Sequence, residues 1–488
     1  MLNLLAPDDA RRLREFFLEQ NYTDPALRAA LAGDYIPYER LMPRLLARTA
    51  DPNLFNILVR WFIVGESVDA GAARAAVPEP ILRLLLGSQL LFPAGETFAP
   101  QVMLVPFRGL LLATDCARKV EAHQQPDPLL SINPTTQWLY LFTVRRPFRS
   151  TLDLGTGCGI QGLAAAAHSE HVVATDLNPR AAEFVTFNAR LNGVNNLEYL
   201  AGDLFQPVAS RRFDLIVSNP PFFITPSSRL QFAENPFELD EFARRLLTDG
   251  ARHLEEGGFL QIICEWVEIR GQSWQERLRA WFADTGCDAW ALKIYSNDPV
   301  RYTELRQLEM VPASERGEPT FQKWVDYYSS RKVEAIHDGL IALHRRSGSN
   351  WVRTDEVLTL PNEPFGDAVL DLFVSQDLLR DATGDAALLK ARFKMSPHAR
   401  LSRHSQYADG QWQSTPLELW LKNGLASAAP LALEAAVENF IRQFDGHRTL
   451  DELIAQLAAQ VNARPEQVRQ ECLRVTRKLL ERGFLLIA

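Results

Sequence analysis

The stretch "FDLIVSNPPFF", Phe213 to Phe223, ends an apolar run in an asparagine, two prolines and two aromatic rings. Proline supplies no backbone donor and fixes φ, so the pair ends a strand and stiffens the residues after it. On its own, Asn219-Pro220-Pro221-Phe222 reads as a rigid turn. Upstream residues give it company. Gly155, Gly157 and Gly159 follow Asp153 in "LDLGTGCGIQG", and Gly157, Gly159 and Gly162 spell G-x-G-x-x-G. Glycines there let the backbone approach a ligand closely. Asp176 stands nineteen residues beyond Gly157, where an acid accepts hydrogen bonds from ribose hydroxyls, and Asp203 lies in "AGDLF". A dinucleotide site fits the glycine spacing, yet Asp153 sits two residues before Gly155, where pyrophosphate gains nothing from a negative charge. A cofactor with an ammonium group would gain from it.

These residues need a particular scaffold. From about Ser150 to His344, short apolar runs ("STLDLGTG", "HVVATDL", "LEYLAGD", "FDLIVSNPP", "GFLQIICEW") alternate with helix-like stretches, which predicts a mostly parallel sheet covered by helices on both faces. Before it, residues 1 to about 87 read as amphipathic helices such as "DDARRLREFFLEQ". A helix end at Gly87, a turn at "PAGE" and apolar runs rich in β-formers then give helices followed by a β-hairpin, the outline of a winged helix. After it, residues 350 to 430 read as irregular strands and turns. Near the C-terminus Thr449 is a predicted N-cap, two helices come next, and Gly483 stops the second before a short strand. The expected division is 1–115, 116–346 and 347–488, the last ending in a winged-helix-like unit over about 431–488.

Composition bounds the partners. A chain of 488 residues, 47% hydrophobic, has ample material for several cores. It has no uninterrupted apolar run long enough to span a bilayer and no secretion signal at its start, so a cytoplasmic protein is expected. The five cysteines form no C-x-x-C pair and suit neither a disulfide framework nor a metal site. A formal charge of −8 argues against a protein that coats nucleic acid.

Asp153 with its glycines, Asp176, Asp203 and Asn219-Pro220-Pro221-Phe222, in that order, resemble the class I S-adenosylmethionine-dependent methyltransferases bearing an N-P-P-[FY] motif. These include the glutamine N5-methyltransferases of release factors, the guanine N2-methyltransferases of ribosomal RNA and adenine N6-methyltransferases. The resemblance covers roughly residues 131 to 270. It implies a Rossmann-like α/β core with a seven-stranded sheet, a helical or winged-helix N-terminal domain and an α+β C-terminal domain. The whole is similar to bacterial methylases whose C-terminal domain carries a D-G signature, here Asp445-Gly446, and the last segment is similar to small winged-helix peptide-binding domains.

By position, the resemblance implies that Asp153, Gly155, Gly157 and Gly159 hold the methionine part of S-adenosylmethionine. Asp176 would hold the ribose and Asp203 with Leu204 the adenine, while Leu177, Asn219 and Thr136 in "NPTTQ" would lie at the cofactor. Asn219 Oδ1 and the Pro220 carbonyl would accept both hydrogens of one planar NH2 group, with Phe222 stacked on its plane and Phe223 packed inward. No metal is required. The substrate is then a macromolecule, protein or peptide rather than RNA on the charge balance. A catalytically silent cofactor-binding regulator and an NAD-dependent oxidoreductase are the alternatives. The segment "SSRLQFAENPFELDEFARRLL" is long enough to cover a substrate.

Overall fold

Four apolar runs give way within a few residues to a glycine or asparagine, and each becomes a strand that ends there. The computed structural model describes residues 1–33, 41–116, 128–129, 132–226, 235, 237–311, 316–357, 360–380, 384–415, 417–421 and 430–488. Eight strands form the main sheet: β1 (Phe148–Leu154), β2 (Ser169–Asp176), β3 (Leu197–Ala201), β4 (Phe213–Ser218), β5 (Leu254–Ile269), β6 (Cys287–Asn297), β7 (Val333–Arg345) and β8 (Val352–Glu356). Their order is β8-β6-β7-β5-β4-β1-β2-β3. The pairs β3–β2, β2–β1, β1–β4 and β4–β5 are parallel, and β5–β7 is antiparallel. The short polar strand β8 extends the seven expected strands at one edge.

This order reverses direction between β1 and β4, and the register brings the strand ends together: Leu154 pairs with Thr175 and Ser218, and Asp176 with Ala201. Ligands bind outside the carboxyl ends of strands at such a switch point. Gly155, Leu177, Gly202 and Asn219 are the next residues, so all four chain segments open on one edge. The helices that matter here are α1 (Pro134–Phe142), α2 (Ile160–Ala165), α3 (Ala181–Leu191), α4 (Glu241–Arg252), α5 (Trp274–Phe282), α6 (Pro299–Met310) and α7 (Glu318–Ser330).

Contacts divide the chain into two compact units. Met1–Tyr140, Arg146–Ala289 and Tyr295–Val352 form the first; Leu141–Arg145, Trp290–Ile294 and Arg353–Ala488 form the second. In the first unit one apolar cluster joins Leu2, Phe16, Trp61 and Leu112 of the N-terminal part to Ile160, Phe184 and Phe187 of the α/β part. The N-terminal part has the predicted helix over Pro7–Glu19 and a helix ending at Gly87, where Glu79–Gly87 stops. Strands Val68–Asp69, Thr97–Pro100 and Leu91–Ala94 make a three-stranded sheet around the helices Ala70–Ala76 and Glu79–Gly87, the element order of a winged helix. A second hairpin, Met103–Phe107 with Leu110–Thr114, adds to the single one expected.

In the second unit, the expected irregular stretch contains a helix over Gly366–Arg380 that the sequence reading missed. Its buried Val369 and Phe373 are β-branched or aromatic, which obscured the helical period. Gly366 is required there, since a Cβ would lie 2.0 Å from the Thr143 carbonyl oxygen. Thr449 caps Leu450–Gln460 in a reciprocal pair with Glu452, Pro465–Glu481 comes next, and Gly483 turns at φ 71° into Leu485–Ile487.

Candidate active site

The glycine loop is shaped by its own carboxylates. Asp153, 1% exposed at the end of β1, accepts with Oδ2 from Thr156 Oγ1 at 2.5 Å and from the Gly162 amide at 2.7 Å. A Cβ on Gly162 would lie 3.1 Å from that oxygen, so the third glycine of G-x-G-x-x-G serves the loop's own acid. Asp176 at the end of β2 accepts from the amides of Gly157 and Asn178 at 2.7 and 2.8 Å. Gly155, Gly157 and Gly159 take φ of 71°, 57° and 92°, the left-handed region open to glycine. Burial pushes the Asp153 carboxyl up to about 6, against the hydrogen bonds from Thr156 and Gly162 that favour its charged form. Burial also raises Asp176, for the same reason.

These segments surround a cavity of ≈ 600 Å³. Of the residues expected at the site, Thr136, Asp153, Gly155, Gly157, Asp176, Leu177, Asp203, Leu204, Asn219, Pro220 and Phe222 line it. Gly159 does not. It faces inward, where a Cβ would meet Leu163 and Val185 at 3.4 Å, so its part is to turn the chain into α2. Leu177 is 55% exposed, an apolar side chain at the cavity's edge. The charged side chains among the described lining residues are Asp153, Asp176 and Asp203, with no lysine or arginine. Such a lining suits a ligand carrying positive charge, as the ammonium and sulfonium of S-adenosylmethionine do, and opposes a pyrophosphate.

The motif after β4 is oriented from a distance. Asn133 Oδ1 accepts from Thr135 Oγ1, Thr136 Oγ1 and the Thr136 amide, each at 2.8 Å. Both hydroxyl protons are thereby spent, and the oxygens remain as acceptors. Asn219 Nδ2 donates to them at 3.3 and 3.4 Å. The carboxamide must therefore turn its NH2 group toward the threonines, which leaves Oδ1 as its acceptor for a ligand. Asn235 Nδ2 donates to the Pro221 carbonyl at 3.0 Å, so the carbonyl beside Asn219 left for a ligand is that of Pro220. Ser218 Oγ, bonded to the Leu154 carbonyl at 2.8 Å, ties the motif to the end of β1.

Both rings of the motif line the cavity, so the expected opposition, one toward substrate and one inward, is not what is found. Phe222 is buried and Phe223 half-buried, edge to face at 5.2 Å, and the Arg306 guanidinium lies 3.9 Å from the Phe223 ring centre. The chain just beyond is clamped. The Ile224 amide meets Glu265 Oε2 at 3.0 Å and Tyr302 Oη at 3.1 Å, while Tyr328 Oη donates to the Ile224 carbonyl at 2.7 Å. Glu265, fully buried on β5, is pushed by burial up to about 8, opposed by Arg306 at 2.6 Å.

Sequence reasoning missed Asn133, Thr135 and Asn235, and also Phe237 and Phe242, which line the cavity. The doublet beside Thr136 in "NPTTQ" was the available signal for the first two. The expected covering segment lies partly outside the described residues, at 227–234 and 236.

Comparison with known proteins agrees with this geometry. Residues 132–285 match the family described as methyltransferase small domain. A release factor glutamine methyltransferase of Xylella fastidiosa is 36% identical over 132 residues, 24% of this chain and 47% of the relative. One of Aliivibrio fischeri is 33% identical over 23% of this chain and 47% of its own. The tRNA1(Val) (adenine(37)-N6)-methyltransferase of Klebsiella pneumoniae is 33% identical over 32% of this chain and 63% of its own. The chain spans about half the length of the curated relatives it matches first. Over residues 132–285 the α/β part is thus similar to methyltransferases of the small-domain family.

Proposed function

We propose that the chain transfers a methyl group from S-adenosylmethionine to the planar NH2 nitrogen of an amide or exocyclic amine on a macromolecule, with protein or peptide as the favoured substrate. The observation that carries this reading is the orientation of Asn219, whose NH2 is held by Thr135 and Thr136. Its Oδ1 and the Pro220 carbonyl then present two rigid acceptors beside one another. Accepting both hydrogens of an amide or amine concentrates density on its nitrogen, and the prolines set this geometry before substrate arrives.

S-adenosylmethionine supplies an electrophilic methyl on sulfur. The chain would hold it with Asp176 and Leu177 at the ribose, Asp203 and Leu204 at the adenine, and Asp153, Gly155 and Gly157 at the amino-acid end, with Thr136 nearby. Phe222 walls the substrate's plane, and Phe223 belongs to the same wall. Protein is favoured over RNA because the described lining has three carboxylates and no lysine or arginine, whereas nucleic-acid binding rests on cationic contacts to phosphate. Relatives that act on a release factor and on a tRNA fit a macromolecular substrate of either kind.

No helix among the described residues is long and apolar enough to cross a membrane. We read the protein as cytoplasmic, with residues 1–115 and 347–488 as flanking domains of the methyltransferase part. The test is incubation with methyl-labelled S-adenosylmethionine and a lysate of the parent cell. Label that protease removes and nuclease leaves supports the reading; label removed by nuclease alone would transfer it to RNA. Cofactor binding with no label in either fraction would favour the regulator.

A further inference from the structure

Two asparagines one helical turn apart, Asn188 on α3 and Asn192 at its C-cap, do the work of a neighbouring β-strand. Asn192 Oδ1 accepts from the Leu111 amide at 2.9 Å while its Nδ2 donates to the Leu111 carbonyl at 2.8 Å. Asn188 repeats the pattern two residues along, with the Ala113 amide at 2.7 Å and the Ala113 carbonyl at 3.0 Å. Alternate residues of a strand point their backbone groups the same way, so an i, i+4 pair of carboxamides can satisfy that edge of Leu110–Thr114. Leu112 between them is fully buried. The N-terminal hairpin is thus bonded to a helix of the methyltransferase part rather than merely packed on it.

Asn192 Nδ2 otherwise turns back to its own helix, donating to the Asn188 carbonyl at 2.8 Å, whereas Asn188 reaches the glycine loop. Its Nδ2 also donates to the Cys158 carbonyl at 2.9 Å, and Cys158 lines the cavity. That carbonyl shares a peptide plane with the Gly159 amide, which donates to the Thr156 carbonyl at 2.9 Å. Anchoring the carbonyl therefore fixes the plane that closes the loop between Gly157, whose amide is held by Asp176, and α2. Asn188 itself is fully buried and does not line the cavity. We propose that Asn188 is a positioning residue through which the N-terminal hairpin sets the conformation of the glycine loop, and so the affinity for the cofactor. Removal of its carboxamide takes that donor from the Cys158 carbonyl and loosens the hold on the peptide plane that the Gly159 amide shares. This rests on the cofactor assignment above.

The experiment is calorimetric titration with S-adenosylhomocysteine, paired with thermal unfolding, on the parent chain, Asn188→Ala, Asn188→Asp and Asn192→Ala. Asn192→Ala removes the same kind of hairpin contact without touching the loop, so it reports what docking alone contributes. Expected are a lowered unfolding temperature in every variant, a Kd raised about tenfold in both Asn188 variants, and a Kd within about twofold of the parent in Asn192→Ala. Asn188→Asp keeps the acceptor for the Ala113 amide and loses the donor to Cys158, and it carries the test should the alanine variant fail to fold. An unchanged Kd in a folded Asn188 variant, or an equal loss in Asn192→Ala, overturns the proposal. A parent chain that binds no S-adenosylhomocysteine overturns the cofactor assignment first, and the proposal with it.

Discussion

Asp153 shows how one carboxylate can serve both fold and ligand. Oδ2 is committed to Thr156 and Gly162, and burial outweighs those bonds to bring the group to about 6. In the free protein it is then largely neutral at pH 5 and ionised at pH 7. A bound ammonium favours the ionised form, so binding must release a proton below the free-state value. Affinity for S-adenosylmethionine should rise about tenfold per pH unit below 6 and level off above 7. Calorimetry between pH 5 and 8 measures this. Asp153→Asn should flatten the profile, and a parent profile already flat would remove Asp153 from the amino-acid end of the cofactor. Most of these residues were legible in the sequence because each lies next to a strand end that is itself marked by glycine or proline. Asn133 and Thr135 were not: Thr135 meets Asn219 across 84 residues and Asn133 acts through Thr135 and Thr136, so the threonine doublet hinted at the residues but no local pattern reports the contact.

The elements around the motif divide in the same way. Strands β1 to β5 were legible because apolar runs and their breakers are local signals, and their order placed the cavity. The clamp on Ile224 was not, since it draws Glu265 from β5, Tyr302 from α6 and Tyr328 from α7. Tyr302 Oη donates to Glu265 Oε2 at 2.5 Å and accepts from the Ile224 amide, all of it buried. Tyr302→Phe keeps the ring against its neighbours and leaves the carboxyl and the amide each short of a partner. A loss of about 1 to 3 kcal/mol is expected, seen as a lower unfolding temperature for the first unit. An unchanged transition in that variant would show that the Tyr302 hydroxyl is dispensable and that Glu265, Tyr328 and packing against Val267, Trp324 and Ile336 suffice to hold the segment after the motif. The helix Gly366–Arg380 belongs with the illegible part: its close approach to Thr143 is a tertiary constraint on a glycine, which the sequence presents only as a helix breaker.

At the scale of the whole molecule, a chain of net charge −8 carries the Asn219 carboxamide at the end of a parallel strand, beside a cavity whose described charged lining is acidic, as the proposed cationic cofactor requires. Elements away from the strand ends enter that site physically: Thr135 and Thr136, on the helix before β1, orient Asn219, and Asn188 on α3 carries bonds from the N-terminal hairpin to the loop. What distinguishes an enzyme from a cofactor-binding regulator of the same fold is whether the orientation of Asn219 matters to a reaction. The most direct measurement is methyl transfer to the labelled acceptor by the parent chain and by Asn219→Ala, with S-adenosylhomocysteine affinity determined on both. Affinity should agree within about twofold while transfer slows by two or more orders of magnitude, since a preorganised partner of the reacting group contributes about 2.7 to 4 kcal/mol. Transfer at the parental rate by a folded, cofactor-binding Asn219→Ala would contradict this role and return Asn219-Pro220-Pro221-Phe222 to a stiff turn at the end of a strand.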